Sequence, residues 1–229
     1  MQDEDFSEPV FHALPPAVVA LALVIFFVEV VLSAGARGYL GGDAGLGWRI
    51  EAIRDHGFLS PLLPWVIETG NWTSSEMARF VTYPFVHLSF THAVFVIVFL
   101  LALGNLVGRV FGNMAVLILF FASGIFGAVI YAGLSGDNRP LVGGFPSVYG
   151  LIGAYTFFLW VNYGAVGENQ YRAFTLIGFL LGIQLIFAVL FGASNDWIAE
   201  LAGFALGFLI TPAVAPGAFR RFLDRMRQR

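Results

Sequence analysis

Two amino acids, cysteine and lysine, are missing from this sequence, and charge of either sign is scarce. Charged residues make up 12% of the 229 residues, whereas soluble domains carry about 25%. The absence of cysteine excludes both a disulfide framework and a thiol nucleophile. The scarcity of charge excludes a sizeable water-soluble domain, because too few polar side chains are present to cover one.

Long apolar runs take the place of charge. Hydrophobic residues make up 58% of the chain, and about 20 consecutive apolar residues let a helix cross the bilayer core. We predict an all-α membrane protein, a six-transmembrane-helix bundle with spans at 17–34, 84–107, 114–134, 147–161, 173–193 and 197–214. The fourth span is short for a bilayer. The long connection 35–82 between the first two helices contains three tryptophans and is predicted to be interfacial.

The two ends of the chain differ in charge. An acidic N-terminal segment, 1–16, precedes the membrane domain, 17–214, and an Arg-rich tail, 215–229, follows it. The acidic start does not look like a cleaved signal peptide. Five of the twelve arginines fall in the last ten residues, which predicts cytoplasmic termini and contact of the tail with anionic lipids. Arginine without lysine is typical of GC-rich bacterial genomes, so we expect a bacterial inner membrane.

Ionisable side chains inside a span are costly and are therefore functional candidates. They are Glu29 in the first span, His87 and His92 at the start of the second, and Glu200 in the sixth. The alternative for Glu29 is a hydrogen-bonded structural carboxyl, and for the histidines an interfacial pair bonded to backbone or water. The five-residue spacing places His87 and His92 on different helix faces without a nearby ligand set. We therefore expect neither a metal site nor a cofactor.

Small residues at four-residue intervals predict where helices touch. Gly203 and Gly207 repeat in the sixth span, and Gly150 and Gly153 lie in the fourth. In lipid, such residues let two backbones approach closely. We therefore predict direct contact between the fourth and sixth spans.

The residue order around the second span resembles that of the rhomboid intramembrane proteases. In that family a histidine follows an arginine by eight residues and a second histidine follows five further on, as His87 and His92 follow Arg79 here. The resemblance to that family extends to three further stretches of this chain, residues 123–124, 148–154 and 201–207. The resemblance covers about residues 79–211 and implies a laterally open scaffold that thins the membrane.

The departures from the rhomboid pattern fall on its catalytic positions. Phe145 stands at the position of the serine nucleophile, and Pro146 replaces the glycine after it. Glu200 occupies the position of the catalytic histidine, and Val96 that of an oxyanion-binding asparagine. Of the family's catalytic set only His92 remains, at the position of a second oxyanion donor. The resemblance therefore implies a scaffold without its Ser/His dyad.

Serine catalysis needs a hydroxyl, a base and oxyanion donors. Ser147 lies two residues beyond Phe145, about 200° around a helix, so it is expected to point away from the former active site. Our first hypothesis is a non-enzymatic pseudoprotease that binds or chaperones transmembrane segments of client proteins. The alternatives are an active rhomboid-type serine endopeptidase with a non-standard site and a small membrane transporter that uses Glu29 and Glu200. No nucleic-acid partner is expected.

Overall fold

A computed structural model describes residues 13–136, 139–191 and 194–215, except the side chains of residue 74, residue 185 and residues 187–191. Ten α-helices form this part of the chain: α1 Pro16–Ala36, α2 Gly42–Gly45, α3 Trp48–His56, α4 Leu62–Thr69, α5 Ser74–Thr82, α6 Phe90–Phe111, α7 Asn113–Leu134, α8 Phe145–Ala165, α9 Thr175–Phe191 and α10 Asp196–Val214. Two short 3₁₀ helices, Tyr83–Phe85 and Gln170–Phe174, precede α6 and α9. The fold is all-helical within the described residues, as the sequence predicts.

Four of these helices, α1, α6, α7 and α10, are long and apolar enough to cross a membrane, judged by length and composition. They make the chain an integral membrane protein. The predicted fourth and fifth spans correspond to α8, with 21 residues, and α9, with 17. The count of six transmembrane helices therefore stays a prediction.

Two predicted helix starts that lie beside a proline differ from the structure. The predicted second span begins at residue 84, but α6 begins at Phe90, because Pro84 lies in the 3₁₀ helix and Ser89 caps α6. The Ser89 hydroxyl accepts a hydrogen bond from the backbone N–H of His92 at 3.2 Å. The predicted fourth span is too short, because α8 already begins at Phe145. A helix tolerates proline in its first turn, so Pro146 does not delay the start.

The first half of α8 lies at the centre of the molecule. Every residue from 146 to 154 is buried, and α6, α7 and α10 pack around this stretch. A helix that is apolar on all sides is stable only when neighbours cover each of its faces. The position of Phe145, at the N-terminus of α8, is therefore fixed by three other helices.

Glycine lets α8 and α10 approach to backbone contact. A Cβ atom placed on Gly203 would overlap the carbonyl oxygen of Pro146, and one on Gly207 would overlap that of Gly150. From the other side, a Cβ on Gly153 would overlap the carbonyl oxygen of Phe204. The helices that the small-residue spacing pairs are thus in contact in the structure.

The connection between α1 and α6 is folded, and part of it packs on the bundle. Phe58, Leu62 and Val66 are buried in a second apolar cluster that includes Tyr131 of α7. The backbones of Phe58 and Leu141 also form an isolated antiparallel bridge, which links this connection to the segment before α8. The connection is thereby held close to the N-terminus of α8.

Candidate functional site

The first predicted candidate, Glu29, is buried in an ion pair. Both terminal nitrogens of Arg49, in α3, donate to the Glu29 carboxylate, at 3.1 and 2.6 Å. Ser33, one turn later in α1, donates to the same carboxylate at 2.6 Å. Arg49 also donates to the backbone carbonyl of His87 at 2.7 Å. This arrangement matches the structural alternative for Glu29 and joins α1, α3 and the segment before α6.

The two predicted histidines lie side by side. Their ring centroids are 5.1 Å apart, with the rings nearly perpendicular. Nε2 of His87 accepts a hydrogen bond from the backbone N–H of Gly144 at 3.4 Å, while Nε2 of His92 has no partner among the described residues. Burial lowers the pKa of His87 to about 3, and the adjacent His92 ring adds to this shift. His87 is therefore neutral at physiological pH.

The backbone before α8 lies directly against the histidine pair. Gly143 has a φ of +94°, a conformation that favours glycine. A Cβ atom there would come within 2.6 Å of the His92 ring, and one on Gly144 within 2.8 Å of a Val96 methyl group. These contacts bring His92, Val96 and the start of α8 together, although they are distant in sequence.

Phe145, at the predicted nucleophile position, covers His92. The two rings are stacked, with centroids 5.2 Å apart and planes inclined by 18°. Phe99 and Tyr149 contact the Phe145 ring edge-on, at 6.4 Å each. A benzyl group thus occupies the space in front of the retained histidine. It supplies no nucleophilic atom.

Glu200, at the predicted base position, is buried within a polar group of three residues. The Gln184 side chain of α9 donates to its carboxyl, and the Tyr149 hydroxyl of α8 also interacts with it. Tyr149 contacts Phe145 as well, so Glu200 lies one residue away from the aromatic stack. The sequence predicts Glu200 near Phe145 and His92. In the structure Tyr149 contacts both Glu200 and Phe145, and Phe145 stacks on His92.

Ser147, the serine nearest to Phe145 in the sequence, points to a different helix. Its side chain is fully buried, and a Cβ atom on Gly124 of α7 would lie 2.5 Å from its Oγ. Ser123, also on α7, is fully buried as well, and neither hydroxyl has a hydrogen-bond partner among the described residues. His92 instead stacks on Phe145. The structure does not bring Ser147 together with the predicted site residues.

Arg79 binds the connection between α1 and α6 and does not reach the site. It donates to the backbone carbonyls of Arg54 and Gly57, at 2.7 and 2.9 Å, and pairs with Glu76. Pro146, the other predicted position beside Phe145, lies against Gly203 of α10. Within the described residues, no group of three or more His, Asp or Glu side chains is placed to hold a metal ion.

Comparison with known proteins agrees with this architecture. A family model described as the Rhomboid domain matches residues 74–217, more than half of the chain. A curated protein named "Rhomboid-like protease 1", from Toxoplasma gondii, is 29% identical over 135 residues. That alignment covers 59% of this chain and 46% of the relative, so the chain spans about half the length of the curated relative it matches. The chain belongs to the rhomboid family, which confirms the resemblance noted from its motifs.

Two residues of these clusters escape prediction from the sequence. Arg49 lies 20 residues from Glu29 in a separate short helix, and no local pattern indicates that the two meet. Gln184 did carry a signal, because it interrupts an otherwise apolar helix, where polar side chains are costly and tend to find partners. The isolated glutamine indicates a polar contact of α9 inside the bundle.

Proposed function

We propose that this chain is a rhomboid-like pseudoprotease, which binds or chaperones transmembrane segments of client proteins without cleaving them. The observation that carries the proposal is the stack of Phe145 on His92. A side chain without a nucleophilic atom covers the one retained group of the family's catalytic set. The chain keeps the family's scaffold, so the function that remains to it is recognition in the membrane.

The chemistry of the other positions supports this proposal. A serine protease needs a base for its hydroxyl and donors for the developing oxyanion. Glu200 is bonded to Gln184 and lies on the far side of Tyr149 from Phe145. Val96 is buried and donates no hydrogen bond. Catalytic groups that act as a unit lose nearly all activity when one is missing.

The first test is for catalysis. The purified full chain should neither label with a fluorophosphonate nor cleave model transmembrane substrates, and Phe145→Ser alone should stay inactive because no base is present. Adding Glu200→His should give trace activity at most, since one oxyanion donor is typically worth about 10²–10³ in rate. Cleavage by the unmodified protein that Ser147→Ala abolishes would contradict the proposal and favour an active endopeptidase.

The second test is for client contact. A photo-crosslinking phenylalanine analogue at position 145 should capture single-span membrane proteins in intact membranes. The matched control replaces Phe27, which is 69% exposed on the outside of α1. Equal capture of the same proteins from both positions would mean that no client enters the site.

We further propose a bacterial inner-membrane location with both termini in the cytoplasm and the tail on anionic lipids. The support is the cluster of five arginines in the last ten residues, which lie outside the described part of the chain. The native chain lacks cysteine, so Gln228→Cys introduces a single thiol. That thiol should resist an impermeant reagent in intact cells, and labelling without permeabilisation would reverse the assignment.

A further inference from the structure

Glu200 is a buried acid that has no counter-ion among the described residues. Its side chain is 5% exposed, and the groups that act on its carboxyl are an amide, a phenol and a second acid, Gln184, Tyr149 and Asp196. None of the ion pairs in the described part of the chain involves Glu200. Acids inside a membrane domain usually pair with a cation or with backbone groups. Within the part of the chain that the structure describes, Glu200 faces only neutral and acidic partners.

Its principal partner is also left short of a hydrogen bond. The Gln184 amide donates to Glu200, but the side-chain oxygen of Gln184 is buried and has no partner among the described residues. Glu200 and Gln184 together therefore offer more acceptors than their surroundings satisfy. A buried acceptor without a donor carries the full penalty of its lost hydration, about 1–3 kcal/mol.

The helix that supplies Gln184, α9, packs one face on the bundle and leaves another face outside. Ile177 is buried in the main apolar cluster, whereas Phe179, Ile183 and Ile186 are exposed on the outside of α9. The main helix packing of α9 is with the short 3₁₀ helix before it, while α8 and α10 pack extensively on each other. The contact of Gln184 with Glu200 is thus a polar link between α9 and the central bundle.

We infer that Glu200 and Gln184 form a recognition site for a transmembrane helix that carries a basic residue in its apolar span. The basic side chain supplies a cation for Glu200 and a donor for the unpaired side-chain oxygen of Gln184. It takes the place of the Gln184 amide on the carboxyl, so Gln184 acts as an internal substitute when no partner is bound. This inference rests on the proposed function and names the partner's chemistry.

The test uses the full chain in phosphatidylcholine nanodiscs and labelled synthetic helices of about 20 residues. Each helix is Leu/Ala-rich with tryptophan at its ends, and it carries a single Lys, Leu or Glu at its centre. Binding is measured by energy transfer. We expect the Lys helix to bind about tenfold more tightly than the Leu helix, with the Glu helix weakest, because an interhelical polar contact contributes about 1–2 kcal/mol in such peptides.

Three variants assign the effect to these residues. Glu200→Gln should abolish the preference for the Lys helix, and Gln184→Leu should strengthen binding of that helix by removing the internal competitor. Glu168→Gln is the matched control, since Glu168 is an exposed acid paired with Arg172 outside the bundle, and it should keep the preference. Melting temperatures of all three show whether each variant is folded.

The outcomes separate this inference from the proposed function. A preference for the Lys helix that Glu200→Gln removes and Glu168→Gln keeps supports the inference. If all helices bind equally, or if Glu200→Gln keeps the preference for the Lys helix, the inferred recognition site is refuted. The proposed binding of clients is not affected by that result. If no helix binds at all, the Leu helix included, both ideas fail.

Discussion

The two buried glutamates of this chain differ in what surrounds them. Glu29 meets the bidentate guanidinium of Arg49, and Ser33 adds a further donor. Glu200 is equally buried but meets an amide and a phenol. A buried charge that loses its counter-ion is strongly destabilised. The first cluster therefore holds the fold together, whereas the second lacks a cation among the described residues.

The two clusters also sit in differently built regions. The Glu29 cluster joins α1, α3 and the segment before α6, because Arg49 donates to Glu29, to Ser33 and to the His87 carbonyl. The Glu200 cluster lies where α9 meets α10, beside the close backbone approach of Gly203 to Pro146. The Glu200 cluster therefore lies between α9 and the closely packed pair of α8 and α10.

The largest expected effect comes from disrupting the contact between α8 and α10. Gly207→Leu should destabilise the protein by more than about 3 kcal/mol, because the new side chain overlaps the carbonyl oxygen of Gly150. Gly203→Leu should act similarly through Pro146. The measurement is thermal unfolding in mild detergent. Gly178→Leu on α9 is the matched control, since a Cβ there meets nothing within 4 Å, and wild-type melting of the Gly207 variant would refute the contact.

Removing the charge of Glu29 should have the next largest effect. Glu29→Gln leaves Arg49 without a counter-ion in a mostly buried position, and we expect a loss of about 3 kcal/mol. Combining Glu29→Gln with Arg49→Met should recover part of this loss, because the unpaired cation is then gone. The same detergent melts test it. A double variant less stable than either single one would show that the pair is not what stabilises this junction.

A smaller effect on stability, which depends on pH, is expected at His87. The backbone carbonyl of this residue accepts a hydrogen bond from Arg49. The pKa of His87 is lowered from 6.5 to about 3 in the folded chain, so the unfolded chain binds more protons in this window. Stability should therefore fall as pH drops below about 6.5, by about 2 kcal/mol between pH 7 and pH 5. His87→Asn should remove this part of the pH dependence, and His56→Asn, at an exposed histidine, should not. Identical pH profiles for wild type and the His87 variant would contradict a neutral buried His87.

The smallest effect is expected for Glu200→Gln. The carboxyl has no cationic partner in the described ranges, and an amide can still bond to Gln184 and Tyr149. Stability should therefore change by less than about 1 kcal/mol. Glu200→Arg should be clearly worse, because an arginine cannot shed its charge when buried. If Glu200→Gln destabilised the protein as much as Glu29→Gln does, the contrast between the two clusters would disappear.

The sequence by itself determined the class of structure and the altered catalytic positions. Apolar length fixes which segments can be membrane helices, and glycine spacing indicates which helices can touch, because both depend on local geometry. The motif around Arg79, His87 and His92 placed the chain in its family, and Phe145 and Glu200 followed at the catalytic positions by alignment alone. The predicted start of α8 lies two residues too late, because a proline is compatible both with the end of a loop and with the first turn of a helix.

Only the tertiary structure decided what the buried acids do. Glu29 and Glu200 look alike in sequence, as single carboxyls in apolar helices, and their difference depends on partners 20 and 16 residues away. Likewise, the stacking of Phe145 on His92 depends on the turn at Gly143, which brings the start of α8 onto α6. Side-chain pairing in a membrane bundle is set by which helix faces meet, and a one-dimensional pattern does not contain that information.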